Sequence, residues 1–179
     1  MNWILDLHAL ILGVVQGITE FLPISSTGHM IVVDEFIKLE PEFKDMFFVV
    51  VQLGSIFAVL FYFHKKLFPL QALRDAEVRR SAFLLWCKAA VGVIPAIIIG
   101  GLFGSRIQHL LYNTLTVAIA LIVGGVALLW IETIKRTIIV SSTDELSFKR
   151  AFLIGIVQCL AMIPGTSRSA STILGSLML

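Results

Sequence analysis

The chain has 179 residues, 58% of them hydrophobic and 15% charged, with a formal net charge of +2 and a mean hydropathy of +0.94. Soluble domains average about 45–50% apolar and about 25% charged residues, so this sequence cannot clothe itself in polar surface and reads as an all-α integral membrane protein, one membrane domain over residues 1–179. The small net charge makes no case for nucleic acid, and with no Lys or Arg before Lys38 the start lacks the basic n-region of a cleaved signal peptide.

The first element, Trp3 to Leu22, is long enough to span but runs into Pro23-Ile24-Ser25-Ser26-Thr27-Gly28, which breaks a helix. The apolar run that follows, Met30 to Leu39, carries Asp34 and Glu35 and is too short to cross; runs of about 10–14 residues are more often re-entrant. A helix–break–helix hairpin that dips into the membrane and returns is expected here. Three spans follow, Met46 to His64, Ala82 to Gly104 with Lys88 near its start, and Thr114 to Ile134 with Glu132 near its end. Each is close to the roughly 20 residues that a crossing requires. The loops alternate in charge. His64 to Arg80 carries Lys65, Lys66, Arg74, Arg79 and Arg80, and Lys135 to Arg150 carries Lys135, Arg136, Lys149 and Arg150, whereas Ser105 to Asn113 carries only Arg106. Cytoplasmic loops hold the excess of Lys and Arg, so the two basic loops are expected inside and the sparse one outside. The chain closes with Ala151 to Ile163, the break Pro164-Gly165-Thr166-Ser167-Arg168-Ser169 and a short apolar end, a second hairpin of the same form.

The two hairpins share their wording. Gly13, Val15 and Gln16 recur as Gly155, Val157 and Gln158; after a one-residue slip, Pro23 and Ser26 recur as Pro164 and Ser167. An odd number of spans lies between them, so they are expected to enter from opposite faces. That is an inverted repeat, with repeat 1 over 1–136 and the start of repeat 2 over 149–179. Such repeats place a site at the midplane between discontinuous helices. Ser26 and Ser167 are the expected N-caps, and two helix N-termini meeting there favour an anion.

Gln16 and Glu20, four apart, share a helical face. A carboxylate within a membrane hairpin is a functional-site candidate, against the plainer reading of a hydrogen-bonded structural acid. Glu20 can hold a hard divalent cation, Mg²⁺ or Ca²⁺, with Gln16 adding a carbonyl oxygen. His29 follows the break beside Gly28 and within reach of Ser25, Ser26 and Thr27, and is expected to serve catalysis rather than packing. Arg168 offers a fork suited to phosphate oxygens, or an ion pair with Glu20 when no substrate is bound. The remaining positions of the breaks, Ser25, Thr27, Gly28, Gly165, Thr166, Ser167, Ser169 and Thr172, are expected to line the substrate. Met162 stands where the first hairpin has Glu20, and Ala170 about where it has His29, so the repeat is structural and the chemistry divided. His64 reads as an interfacial residue, and Cys87 and Cys159 as inert apolar thiols. The inventory suits phosphoryl transfer on a substrate with a lipid tail and a phosphate head. Two other classes compete. An inverted-repeat transporter or channel for an anionic or lipid substrate would also carry broken helices. An intramembrane Ser hydrolase would need an oxyanion hole and a base, but neither Arg168 nor metal.

At these residues the sequence resembles the undecaprenyl-diphosphate phosphatase family of the BacA/UppP type. The family's (E/Q)xxxE motif stands as Gln16-Gly17-Ile18-Thr19-Glu20, and its PGxSRSxxT motif as Pro164-Gly165-Thr166-Ser167-Arg168-Ser169-Ala170-Ser171-Thr172. FLPISSTGH, Phe21 to His29, is similar as well. The resemblance implies metal-dependent hydrolysis of undecaprenyl diphosphate to the monophosphate, which recycles the lipid carrier of bacterial wall synthesis in the cytoplasmic (inner) membrane; self-association stays open. It also implies Gln16 and Glu20 near the metal, Ser26 or His29 as nucleophile or proton-transfer group, and Arg168 on the phosphates. The acid-phosphatase-like lipid phosphatases share GH and SR fragments, but their Lys-and-Arg-Pro motif and final His–Asp pair are missing here. Members of the resembled family continue through further spans past the second motif. The chain is therefore expected to be a C-terminally truncated member, inactive alone and poorly ordered from about Ala151 onward because the second hairpin lacks the spans of its own repeat.

In a cysteine-free background of the full-length protein, single cysteines placed between Lys65 and Arg80 are expected to resist an impermeant thiol reagent in intact cells, and cysteines between Ser105 and Asn113 to react. Labelling of the first loop from outside would overturn the inverted-repeat reading.

Overall fold

Caps, rather than hydropathy, set where the helices of this protein begin and end. The computed structural model describes residues 3–134, 140 and 142–179; Lys135 and Arg136, two of the charges assigned above to the second basic loop, lie outside the described residues. In chain order the helices are α1 (Trp3–Thr19), α2 (Ser26–Ile37), α3 (Pro41–Tyr62), the single turn α4 (His64–Leu67), α5 (Ala76–Leu111), α6 (Thr114–Thr133), α7 (Phe148–Gln158) and α8 (Arg168–Met178), with 3₁₀ turns at Leu70–Leu73 and Cys159–Met162. No strand occurs among the described residues.

Helices α3, α5 and α6 are long and apolar enough to cross a membrane, at the three places that hydropathy marks. Their ends differ from the expected ones. Pro41 starts α3 at its first turn, where a missing N–H costs nothing. Asp75 caps α5, accepting from the amides of Glu77 at 2.8 Å and Val78 at 3.4 Å. Helix α5 then runs 36 residues to Leu111, so most of the expected loop from Ser105 to Asn113 is helix. Only Tyr112 and Asn113 connect it to α6, and Asn113 caps α6 by accepting from Thr116 N at 2.9 Å. A hydropathy window sees the hydrocarbon-facing middle of a helix and misses polar turns that continue it. Large apolar side chains such as Val49, Phe57, Ile97 and Leu129 are about two-thirds exposed along these spans. An apolar surface of that extent suits lipid rather than water.

The first hairpin packs α1 against α2 and both against α3, around the buried cluster Leu12, Met30, Leu39 and Phe48. Asp34, counted above as a charge against crossing, is a staple. Its Oδ1 accepts from Leu39 N at 3.0 Å and its Oδ2 pairs with Lys44 Nζ at 3.1 Å. Glu35 accepts from Thr114 Oγ1 at 2.8 Å. These contacts tie the open end of the hairpin to the starts of α3 and α6.

The second hairpin, α7 and α8, lies along α5. A Cβ on Gly155 would fall on the carbonyl of Gly92, so the two backbones touch where small residues permit it, as at close helix crossings in membranes. Lys88 is buried, and its ammonium donates to Thr143 O at 3.0 Å and Asp144 O at 2.8 Å in the segment leading into α7. This hairpin is expected to lack the spans of its own repeat; among the described residues it is α5, ahead of it in the chain, that covers α7. Helix α6 supports both breaks. A Cβ on Gly28 would meet Leu121 at 3.1 Å, and one on Gly165 would meet Val117 O at 2.6 Å. Gly165 also has φ +92°, which only glycine adopts without strain.

Gly155→Leu is expected to pry α7 from α5 and to lower the thermal unfolding midpoint in detergent, overpacking of this kind costing about 1–3 kcal/mol or more. Gly101→Leu, where nothing lies within 4 Å of the added Cβ, should leave the midpoint unchanged.

Candidate active site

The first break begins where α1 loosens. Thr19 Oγ1 donates to Val15 O at 2.6 Å, Glu20 N closes the last turn on Gln16 O at 2.9 Å, and the chain then turns through Phe21 to Ile24. Ser25 caps α2, accepting from Gly28 N at 3.3 Å, with φ 65° and ψ 91°. The cap is therefore Ser25, not Ser26 as the sequence suggested. A positive φ at Ser25 ends the turn one residue earlier and makes Ser26 the first helical residue. The Ser26 hydroxyl, freed from capping, donates to Glu20 Oε2. A serine held at positive φ is strained, at a cost on the order of 1–3 kcal/mol. The surroundings hold it in place: His29 meets the Ser25 carbonyl twice, through its amide at 3.1 Å and through ring Nδ1 at 2.9 Å. Thr27 accepts from Gln52 Nε2 of α3 at 3.4 Å.

The second break mirrors this with different chemistry. Ser167 caps α8 as expected, accepting from Ala170 N at 3.2 Å. Its hydroxyl also pairs with Ser169 Oγ at 2.9 Å. Ser169 Oγ donates to Leu22 O at 3.4 Å, a direct bond between the two breaks. Arg168 is the first residue of α8 and is exposed.

Between the breaks lies a cavity of about 260 Å³. Glu20, Ser25, Ser26 and Thr27 line it from one side; Thr166, Ser167, Arg168, Ser169 and Thr172 line it from the other; Gln52, Gln158 and Ala161 complete the wall. Four expected site residues are not in the wall. Gly28 and Gly165 face α6 instead. His29 holds Ser25. Gln16 lies behind Glu20, 2% exposed; its Oε1 accepts from Ser55 Oγ at 3.0 Å and its Nε2 donates to Glu20 Oε2 at 3.4 Å. The carbonyl expected to face a cation is thus turned to Ser55. Gln52, Ser55 and Gln158 were not singled out from the sequence as site residues. A signal existed for the first two, polar residues three apart on one face of an otherwise apolar span, and Gln158 is the repeat counterpart of Gln16.

The first N–H groups of α2 and α8 have no intrahelical acceptor, and both helices start at this cavity, so their positive ends converge. Arg168 adds a full charge. No ion pair joins Arg168 to Glu20 among the described residues. The donors around Glu20 are hydroxyl and amide groups, and among the described residues no three or more His, Cys, Asp or Glu are grouped so as to hold a metal ion. Such an all-oxygen set with one carboxylate fits Mg²⁺ or Ca²⁺ only when ligand oxygens complete the shell, as in sites shared with phosphates. The arrangement can hold a polyanion at two helix ends and present one hydroxyl, already bonded to a carboxylate, to it.

The model of the family described as bacitracin resistance protein BacA matches residues 9–179. The undecaprenyl-diphosphatase of Acetivibrio thermocellus is 48% identical over 177 residues, covering 97% of this chain and 65% of that protein. Undecaprenyl-diphosphatase 1 of Clostridioides difficile is 48% identical over 173 residues, 96% of this chain and 63% of its own length. The undecaprenyl-diphosphatase of Pseudomonas aeruginosa is 46% identical over 178 residues, 99% of this chain and 64% of its own length. The chain spans just under two thirds of the length of these curated relatives.

Proposed function

This chain belongs to the bacitracin resistance protein BacA family, and from that premise we propose that it hydrolyses undecaprenyl diphosphate to undecaprenyl phosphate and inorganic phosphate in the bacterial cytoplasmic membrane. The observation that carries the reading is the cavity between the two breaks, where two helix N-termini and Arg168 face a hydroxyl–carboxylate pair. A diphosphate matches that charge pattern. The two hairpins are read as re-entrant and inverted. In support, the open end of the first is tied to the Asn113 end of α5 and α6 through Glu35 and Thr114, and the segment entering the second is tied to Ser81 and Lys88, on the half of α5 away from Asn113. The transporter reading gains no comparable support, since transport does not call for a serine bonded to a carboxylate beside an arginine.

The reading assigns each residue a step. The terminal phosphoryl group sits against the amides that start α2 and α8, with the Arg168 fork on its oxygens. Ser26 is favoured over His29 as nucleophile because its hydroxyl already donates to Glu20, whereas His29 is engaged with the Ser25 carbonyl behind it. The Ser26 oxygen attacks the terminal phosphorus, its proton passes to Glu20, and the bond from phosphorus to the bridging oxygen breaks. Undecaprenyl phosphate leaves, and water then cleaves the phosphoserine to release phosphate. Positioning and charge stabilisation dominate such transfers. Glu20 with the neighbouring hydroxyls would hold Mg²⁺ or Ca²⁺ together with substrate oxygens, and the ion would spread the charge of the diphosphate.

In the full-length protein, Glu20→Gln, Ser26→Ala and Arg168→Lys are each expected to lower phosphate release by about 10²–10³-fold, the usual cost of losing one transition-state contact. Cys87→Ala, outside the cavity wall, should be silent. Wild-type turnover in Ser26→Ala would remove Ser26 as nucleophile, and wild-type turnover in Arg168→Lys would remove the clamp.

A further inference from the structure

We propose that Ser55, in the middle of span α3, is a positioning residue for this reaction: acting through Gln16, it holds the Glu20 carboxylate against the Ser26 hydroxyl. The proposal rests on the reading of Glu20 and Ser26 given above.

Three hydrogen bonds carry it. Ser55 Oγ donates to Gln16 Oε1 at 3.0 Å, Gln16 Nε2 donates to Glu20 Oε2 at 3.4 Å, and Ser26 Oγ donates to the same Oε2. The direction of this chain is set by chemistry. An ionised carboxylate only accepts, so the Gln16 amide must turn its NH₂ towards Glu20 and its carbonyl away. The carbonyl then needs a donor, and in the structure that donor is Ser55. Burial makes the need real: Ser55 is 7% exposed and Gln16 2%, and a buried acceptor left without a donor is costly.

Removing the Ser55 hydroxyl gives the amide a reason to rotate. Rotation takes the N–H from Glu20 Oε2 and frees a long side chain whose rotamers that bond restricts. Glu20 itself remains, so binding of the phosphates by Arg168 and the helix ends continues. What is lost is the fraction of time Glu20 spends in line with Ser26. The expected effect therefore falls on kcat rather than KM.

The test uses the full-length protein in detergent with a polyprenyl diphosphate, comparing Ser55→Ala, Ser55→Thr, Gln16→Met and the double variant Ser55→Ala/Gln16→Met. Ser55→Ala is expected to lower kcat about tenfold, the size of one ordinary hydrogen bond, with KM within about twofold. Ser55→Thr keeps the hydroxyl and should recover most of kcat. The double variant should be no slower than Gln16→Met alone, as for two residues in one chain. Modification of Ser26 by a fluorophosphonate probe, followed by mass, should slow in Ser55→Ala by a similar factor. Wild-type kcat in Ser55→Ala, equal loss in Ser55→Ala and Ser55→Thr, or additive losses in the double variant would each overturn the proposal. The two readings separate cleanly. If the wild-type protein releases no phosphate yet Ser26 labelling still depends on the Ser55 hydroxyl, the substrate is wrong and the relay stands. If turnover is robust and Ser55→Ala changes neither turnover nor labelling, the relay is wrong and the substrate stands.

Discussion

A helix that stops inside a membrane leaves backbone amides and carbonyls with no water to satisfy them, at several kcal/mol each. On the re-entrant reading proposed above, this chain does so twice, and the packing around its two breaks would offset that cost. Helix α6 puts Val117 and Leu121 against the glycines of the two breaks. Ser25 and Ser167 each satisfy an amide of the helix that follows. The Gly92–Gly155 contact draws α7 onto α5, and Ser169 ties the second break to the first through Leu22. Each break thus has contacts from outside its own hairpin, and the spans serve as casing as well as anchor.

The same constraint supplies the chemistry. Amides that no carbonyl of their own helix can reach are a liability in hydrocarbon and a binding site for an anion. Two such ends facing one cavity would hold negative charge without a cluster of cations. Arg168 then has to add only the fork. The halves diverge where symmetry would be wasteful. Met162, which stands at the place of Glu20, lies near Gly100 of α5 instead of the polar cavity. A second carboxylate in the cavity would repel the phosphates proposed to bind there.

Much of this was legible in the sequence, because it depends on composition over long windows or on residues close together. The three spans follow from hydropathy, the breaks from Pro and Gly, and the Ser167 cap from a hydroxyl residue ahead of a short apolar run. Nearly all of the polar wall belongs to two short phrases. What stayed hidden depends on a single dihedral or on distance along the chain. The choice of Ser25 over Ser26 as cap turns on one positive φ. The Gln52–Thr27 and Ser55–Gln16 bonds join residues 25 and 39 apart, and nothing local pairs them. Helix α5 outran its expected end because its last turns are polar, and the Gly92–Gly155 contact has no signature in either residue alone.

Gln16 shows how a shared motif position can change its task. The motif it resembles accepts Glu or Gln there, and a carboxylate would read as a second cation ligand. In this chain the position is almost fully buried, four residues from Glu20 and beside it. Two carboxylates at that spacing would oppose each other's ionisation, and an ionised pair would add negative charge beside the cavity where a diphosphate is proposed to bind. The amide avoids both costs. It keeps a donor for Glu20, and it hands the problem of its own carbonyl to Ser55, one span away. On the proposal above, the alignment of Glu20 and Ser26 would depend on the packing of α3 against the first hairpin, and α3 would belong to the site as well as to the membrane anchor.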